Sequence, residues 1–316
     1  MNNQHIDPLY SNLIVSLLKN GKPGANPRGM PTVEMYNVGW KITDARNSVI
    51  LNPKRNINKA YAIIEMLGLF QNSHKNVEPY CYYNSQMKNY LNEETGTWDG
   101  SYADRLVWYN QLKEMYKVLK ADPCSRRAVI SLYNPAHDFH AYESRDLCCT
   151  LSLIFRLRDN KLHLTCTMRS NDILLGVPYD LTQFTFLQSV LAKWLGVEMG
   201  EYYHFTANLH AYEKDLPRLE GIAKSMVTER ALKEPFATMP EWDLESVADT
   251  FEDIERLFAV EAEGRIDPTP SKLKRLKINA GSQLKSKVLL SFLEDVIFPK
   301  IASKAKIPFT FPARAV

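Results

Sequence analysis

The stretch from Asp146 to Asp180 holds three side chains whose types could carry chemistry. Cys149 could act as a nucleophile, because a thiolate attacks electrophilic carbon. Arg169 could bind a phosphate, which a guanidinium group recognises with two parallel hydrogen bonds. Asp180 could accept hydrogen bonds from an amino group, since an ionised carboxylate only accepts. Alternatively, Asp180 could cap a helix, with Gln183 completing a capping box.

A fourth candidate is Glu65, the single acid in the apolar run from Ala60 to Phe70. A carboxylate in such a run costs free energy unless it is hydrogen-bonded, paired or part of a reaction. Desolvation is expected to raise the pKa of Glu65, which suits a general acid or base. The alternative is a glutamate on the exposed stripe of an amphipathic helix.

The elements that position these residues can be predicted from the spacing of apolar side chains. Residues 150–157 and 162–168 alternate between apolar and polar, with a turn-forming cluster at 158–160, which predicts a β-hairpin. Residues 184–194 carry apolar side chains at helical spacing, which predicts one buried helix.

Within the hairpin, alternation predicts which of two adjacent cysteines faces the interior. Leu153 and Phe155 share a face with Cys149, while Cys148 should point the other way. The pattern therefore predicts that Cys149 points into the interior or into a cleft lined by interior residues.

The composition is that of an ordinary soluble globular protein. The chain has 316 residues, of which 45% are hydrophobic and 24% charged, so it can bury a large core. A net charge of +3 is too small to argue for nucleic acid. Neither an 18-residue apolar run nor a signal pattern is visible, which predicts a cytoplasmic protein without a membrane partner. Five cysteines without metal-ligand spacing predict reduced thiols and no metal site.

The segment RSNDILLGVPYD at 169–180 resembles the R-S-x-D-x-x-L-G-x-P-[FY]-N signature of thymidylate synthases. In that family the nucleophilic cysteine lies 20 residues before the arginine, which selects Cys149 rather than Cys148. The last letter differs, because Asp180 stands where synthases have an asparagine. The related deoxycytidylate hydroxymethylases of bacteriophages show the same exchange. An amide suits the O4 acceptor and N3–H donor of uracil, whereas a carboxylate suits the amino group of cytosine.

The resemblance also implies a phosphate site shared between two subunits. The motif DPCSRR at 122–127 is similar to the family's DP-x-SRR, whose arginines cross a dimer interface to the partner's phosphate. It implies a homodimer. A polar loop at 21–32 resembles the family's phosphate loop. The implied phosphate ligands, which would hold the site positive and favour a thiolate, are Arg28, Arg126, Arg127, Arg169 and Ser170.

Other segments resemble the family's base, sugar and folate contacts. Glu65 lies in a segment similar to H-E-L-L-W-F, whose glutamate organises proton transfers around the base. Trp98 would stack on the folate ring. The implied catalytic residues are Cys149, Glu65, Asp180 and Tyr102; the implied substrate ligands include Asp172, His210 and Tyr212; the implied cofactor contacts are Trp98 and Asp172.

The resemblance implies an α+β fold with a large mixed β-sheet packed with helices and one sheet face at a dimer interface. Residues 1–244 would form the catalytic domain. Residues 245–316 read as helices, where synthases end in strands and a tail over folate, and would form a helical C-terminal extension. The basic run SKLKRLK within it could contact nucleic acid, but a solvated helix face is the simpler reading, so no direct nucleic-acid partner is expected.

The predicted function is a deoxycytidylate 5-hydroxymethyltransferase that uses 5,10-methylenetetrahydrofolate. Thr150 stands where synthases have a histidine, and a changed water network would suit hydration of the one-carbon unit. Stacking of folate on Trp98 would equally support hydride transfer and a 5-methyl product. A dCMP methyltransferase, a CMP hydroxymethylase, a dUMP-acting thymidylate synthase and a non-catalytic nucleotide- or RNA-binding member remain open.

Overall fold

A seven-stranded mixed sheet forms the centre of the computed structural model, which describes residues 5–24, 29–71, 76–139 and 144–308. Its order is β1-β2-β7-β5-β4-β3, and β6 pairs with β7. β7 runs parallel to β5 and β6, while the other pairs are antiparallel. The strands are β1 (Lys22–Pro23), β2 (Thr32–Ile42), β3 (Val129–Ser131), β4 (Thr150–Arg158), β5 (Lys161–Met168), β6 (Asn171–Asp172) and β7 (Glu198–Tyr212).

Helices cover one face of this sheet, so the predicted α+β class is confirmed. They are α1 (Ile6–Asn20), α2 (Lys59–Gly68), α3 (Glu78–Tyr83), α4 (Tyr102–Val107), α5 (Gln111–Ala121), α6 (Pro135–Asp138), α7 (Val177–Leu195), α8 (Leu216–Ala223), α9 (Val247–Arg265), α10 (Pro270–Gln283), α11 (Lys287–Phe292) and α12 (Phe298–Ala305). A π-helical turn, Leu293–Ile297, joins the last two. None of the described helices combines the length and apolar character needed to cross a bilayer.

The central helix α7 is buried along nearly its whole length between the sheet and α2. It is the helix that the apolar spacing predicts, although it begins at Val177 rather than after Asp180. Pro178 favours this start, because proline suits the first turn of a helix, where its missing N–H costs nothing. Asp180 therefore lies inside the helix on the side that meets the sheet.

The predicted hairpin is present as β4 and β5. Asp159 and Asn160 form its turn with φ of 50° and 56°, a left-handed conformation that Asp and Asn tolerate. Cys149 lines a cleft, as predicted, but the alternation behind that prediction is interrupted, and Cys148 is buried as well. A bulge between Thr150 and Ser152 shifts the register by one residue, so Thr150 takes the interior face.

The other face of the sheet is partly exposed and carries apolar side chains. Val129 on β3 is 45% exposed and Phe205 on β7 is 38% exposed. Cross-strand pairing places Val129, Ile154, Thr165 and Tyr203 in one row across four strands.

The C-terminal helices pack against the rest of the chain. Trp194 Nε1 on α7 donates to Thr250 Oγ1 on α9 at 3.0 Å, and Tyr83 donates to Glu261 at 3.0 Å. Phe292 on α11 contacts Phe186 on α7, with ring centroids 6.4 Å apart. The predicted helical C-terminal region is present, while its division from a catalytic domain at residue 244 stays a prediction.

Candidate active site

A cleft beside the amino end of β4 brings together five of the predicted site residues. Its volume is about 880 Å³, including the part open to solvent. The walls come from α2, α3, the start of α4, the segment 146–149 and the first turns of α7. The predicted residues that line it are Glu65, Trp98, Tyr102, Cys149 and Asp180.

Cys149 lies half-buried at the cleft with an arginine beside its sulfur. Arg169 Nη2 lies 3.6 Å from Cys149 Sγ and donates to it. The guanidinium is held in place by the carbonyls of Cys148, at 2.9 Å from Nε, and Leu147, at 3.2 Å from Nη2. A fixed cation next to a thiol stabilises the thiolate, which is the nucleophilic form.

The neighbouring Cys148 is in a different environment. Its side chain is 1% exposed, and Sγ donates to the Thr150 carbonyl at 3.0 Å. Burial raises the pKa of the Cys148 thiol to about 12, so this thiol stays neutral near pH 7. Of the two adjacent cysteines, Cys149 is the one that faces the cleft.

Glu65 points from α2 into the cleft. Tyr61, one turn earlier, donates to Glu65 Oε1 at 2.8 Å. Oε2 is buried and has no hydrogen-bond partner within the described chain. Desolvation raises the pKa of Glu65 to about 8, with the Asp180 charge adding to the rise and the Tyr61 hydrogen bond opposing it. Both protonation states are therefore accessible near neutral pH, as a general acid or base requires.

Asp180 is 6% exposed, and both of its carboxylate oxygens are held by side-chain amides. Asn171 Nδ2 donates to Oδ2 at 2.7 Å, and Gln183 Nε2 donates to Oδ1 at 3.1 Å. Desolvation raises the pKa of Asp180 to about 7 despite these two donors. The alternative role as a helix cap is wrong, because Gly176 is the N-cap of α7.

Tyr102 and Trp98 form fixed parts of the wall. The Tyr102 hydroxyl shares a hydrogen bond of 2.8 Å with Thr150 Oγ1, the position at which synthases carry a histidine. Trp98 Nε1 donates to the Met87 carbonyl at 3.1 Å, and its ring packs edge-on against Tyr80. An immobile indole on the cleft wall suits a flat heteroaromatic ring such as a pterin.

Four of the predicted substrate ligands cluster where β6 pairs with β7: Ser170, Asp172, His210 and Tyr212. Asp172 lies opposite His210 in the two strands, and Ser170 Oγ is 3.3 Å from His210 Nδ1. Tyr212 packs edge-on against His210, with centroids 5.9 Å apart. Asp172 Oδ1 accepts from the backbone N–H groups of residues 174 and 175, and burial raises its pKa. None of these four is among the described residues that line the cleft.

The remaining predicted phosphate ligands lie elsewhere. Arg126 and Arg127 are exposed just before β3, and within the described chain neither lines the cleft. Arg28 falls outside the described residues. No group of three His, Cys, Asp or Glu side chains in the described ranges could hold a metal ion.

Sequence reasoning missed several residues that line the cleft or hold its side chains in place. Tyr61 precedes Glu65 by four residues, a helical spacing that could have revealed the pair. Asn171, Gly68 and Tyr80 carry no such signal, because their contacts depend on how separate elements pack.

Comparisons with known proteins identify the family. The sequence profile described as Thymidylate synthase matches residues 8–258. The chain is 32% identical over 221 residues to a deoxyuridylate hydroxymethyltransferase of Bacillus phage SP01, covering 66% of this chain and 57% of that relative. It is 29% identical over 197 residues to a protein of the same name from Pseudomonas phage M6, covering 60% and 55%.

A cellular relative gives a similar match. The thymidylate synthase of Streptococcus sanguinis (strain SK36) is 30% identical over 173 residues, covering 52% of this chain and 60% of that relative. In each case the alignment spans less than two thirds of the relative's length. Because the family profile covers most of the sequence, this chain belongs to the thymidylate synthase family.

Proposed function

We propose that this chain is a deoxycytidylate 5-hydroxymethyltransferase, which transfers a one-carbon unit from 5,10-methylenetetrahydrofolate to C5 of dCMP and hydrates it. The choice of cytosine as the base rests on Asp180. Its carboxylate lines the cleft beside Cys149, with both oxygens fixed by Asn171 and Gln183. A carboxylate oxygen has two lone pairs, so each can accept one further hydrogen bond from a base.

Cytosine fits this carboxylate through its amino edge. The N4 amino group donates to one oxygen, and a proton between N3 and the other oxygen completes a bidentate pair. The pKa of Asp180, raised by desolvation to about 7, makes that shared proton available near neutral pH. Protonation at N3 also draws electrons from C6, the carbon that the Cys149 thiolate attacks.

The reaction uses the residues of the cleft in sequence. Cys149 Sγ forms a bond to C6, which makes C5 nucleophilic, and Arg169 stabilises the thiolate before attack and after its release. 5,10-Methylenetetrahydrofolate supplies the one-carbon unit, and its ring would lie against Trp98. C5 bonds to that carbon. Loss of the C5 proton and cleavage of the bond between the carbon and the folate nitrogen, which releases tetrahydrofolate, then leave an exocyclic methylene group on the base. Water adds to that group, the C5–C6 double bond re-forms and the Cys149 thiolate leaves.

Hydration is favoured over hydride transfer by the comparisons. The two phage relatives are both named deoxyuridylate hydroxymethyltransferase, and they match more of this chain than the streptococcal synthase does. The buried Glu65 Oε2, which has no partner in the described chain, offers an acceptor for the proton of an attacking water.

A second candidate substrate is dUMP. The names of the phage relatives favour it, and so does one property of Asp180. A protonated carboxyl presents one donor and one acceptor, as an amide does, and could pair with O4 and N3–H of uracil. Burial raises the pKa of Asp180 to about 7, so the protonated form is populated near neutral pH.

Turnover of dCMP, CMP and dUMP with 5,10-methylenetetrahydrofolate, read by product mass, tests the function. We expect 5-hydroxymethyl-dCMP as the main product, with no absorbance change from dihydrofolate, because only hydride transfer yields dihydrofolate. Preferred turnover of dUMP would replace the first candidate by the second. Turnover of none of the three would contradict the proposed function.

The dimer that we propose uses the partly exposed sheet face around Val129 and Phe205. Arg126 and Arg127 directly precede β3, at the edge of that face. They are exposed and do not line the cleft of their own chain within the described residues, so they are free to reach the phosphate bound by a partner subunit.

Mixing two inactive variants tests the shared site. Arg126→Ala and Cys149→Ala are each expected to be inactive alone, whereas a dimer of one with the other has one intact site of two. Random exchange would thus restore about a quarter of wild-type activity, since half of the dimers are mixed. An inactive mixture, with subunit exchange verified by native mass spectrometry, would contradict the sharing of Arg126.

A further inference from the structure

Gly68 leaves a space beside Glu65 that the side chain of Tyr80 fills. A Cβ atom built on Gly68 would lie 1.6 Å from the Tyr80 hydroxyl oxygen and 2.8 Å from Cζ. The end of the phenol ring therefore occupies the place where a side chain at position 68 would begin. Both residues line the cleft.

The position of the Tyr80 hydroxyl is fixed by packing. Tyr80 lies on α3, and its ring packs edge-on against Trp98 with centroids 5.2 Å apart. Trp98 is itself anchored by its hydrogen bond to the Met87 carbonyl. The Tyr80 ring therefore packs against an anchored indole, which restricts where its hydroxyl can lie.

The Tyr80 hydroxyl and Glu65 both lie on the side of α2 that lines the cleft. Residues three apart on a helix have Cβ atoms about 5–6 Å from each other. The Tyr80 oxygen stands at the Cβ position of residue 68, and Glu65 extends from three residues earlier. The Glu65 charge adds to the rise that burial causes in the pKa of the Tyr80 hydroxyl, so the two groups lie within electrostatic reach of each other.

We propose that the Tyr80 hydroxyl and Glu65 Oε2 hold the water that adds to the exocyclic methylene group. The inference rests on the proposed function and names a residue that directs its last step. The water oxygen bonds to the methylene carbon, and its proton passes to Glu65. The electron pair of the exocyclic double bond moves into the ring and re-forms the C5–C6 double bond, as the C6–S bond breaks and releases the Cys149 thiolate.

The Tyr80→Phe substitution tests this role, because it removes one oxygen and keeps the ring. Single-turnover reactions with 5-tritiated dCMP, and in parallel dUMP, are run with 2-mercaptoethanol as a competing nucleophile. Tritium release reports the steps up to loss of the C5 proton, and product mass reports the fate of the methylene group. We expect tritium release within about 2-fold of wild type, while the ratio of hydroxymethyl product to thiol adduct falls at least about 10-fold.

Two further variants make the result specific. Tyr82→Phe on the same helix is the control, since the Tyr82 ring packs against Lys304, at 4.6 Å, and does not line the cleft. Its product ratio should match wild type. Gly68→Ala keeps the tyrosine but displaces its hydroxyl, so it should shift the ratio as Tyr80→Phe does.

The outcomes separate this inference from the proposed function. An unchanged product ratio in Tyr80→Phe, with tritium release intact, would overturn the role of Tyr80 and leave the hydroxymethyltransferase standing. A wild-type chain that releases tritium but forms only a 5-methyl product would overturn both the hydration step and the role of Tyr80. Absence of tritium release from both nucleotides in the wild type would overturn the proposed function and this inference together.

Discussion

Cys149→Ser is expected to lower the release of tritium from C5 of dCMP by at least about a thousand-fold. Exchange at C5 requires a nucleophile on C6, and a serine hydroxyl stays protonated where a thiol beside Arg169 can ionise. Sγ of Cys149 is 3.6 Å from Arg169 Nη2, and the serine oxygen would keep this neighbour without becoming an equal nucleophile. The same assay tests whether the chain is catalytic, since a nucleotide-binding member without activity would exchange nothing.

The adjacent cysteine supplies a matched control. Cys148→Ser makes the same change one residue away, in a side chain that is buried and donates to the Thr150 carbonyl. Serine can keep that hydrogen bond, so tritium release should stay within about 3-fold of wild type, the effect of a small packing change. Loss of exchange in Cys148→Ser with retention in Cys149→Ser would contradict the assignment of the nucleophile.

Local patterns predicted the elements of the fold better than they predicted the direction of single side chains. Alternation at 150–168 and helical spacing at 184–194 gave the hairpin and the helix α7, because both signals extend over many residues. The direction of Cys149 depended on unbroken alternation, which the bulge at Thr150 ends. Counting back from Arg169 selected Cys149 without that assumption, since it used only the spacing between the cysteine and the arginine.

The electrostatics of the cleft were predictable only where one segment determines them. Glu65 lies in an apolar helix, so its raised pKa could be predicted from its neighbours in sequence. In the structure, burial raises the pKa of Glu65 to about 8. The raised pKa of Asp180 requires burial by several elements. The support of its oxygens by Asn171 and Gln183 depends on how β6 meets α7, which no local pattern records.

Asp180→Asn is expected to change the base that the chain prefers. Asparagine is nearly equal in size to aspartate, but it replaces one carboxylate oxygen, an acceptor that faces the cleft, by an N–H donor. The donor matches O4 of uracil and opposes the amino group of cytosine. Losing or gaining one matched hydrogen bond in a buried site changes the binding free energy of each nucleotide by about 1–3 kcal/mol. The ratio of kcat/KM for dUMP to that for dCMP should therefore rise at least about 100-fold in competition experiments.

Asp146→Asn is the control for the charge of the cleft. Asp146 also lines the cleft, where its Oδ2 accepts from the Gly100 N–H at 3.0 Å. Its substitution by asparagine therefore removes one negative charge from the cleft without changing the carboxylate that Asn171 and Gln183 hold. If net charge governs turnover, both substitutions should change the rates for dCMP and dUMP by a common factor. If Asp180 reads the base, only Asp180→Asn should change their ratio. A ratio that both variants leave at the wild-type value would mean that another group selects the base, because the hydrogen-bonding pattern at position 180 would have changed without effect.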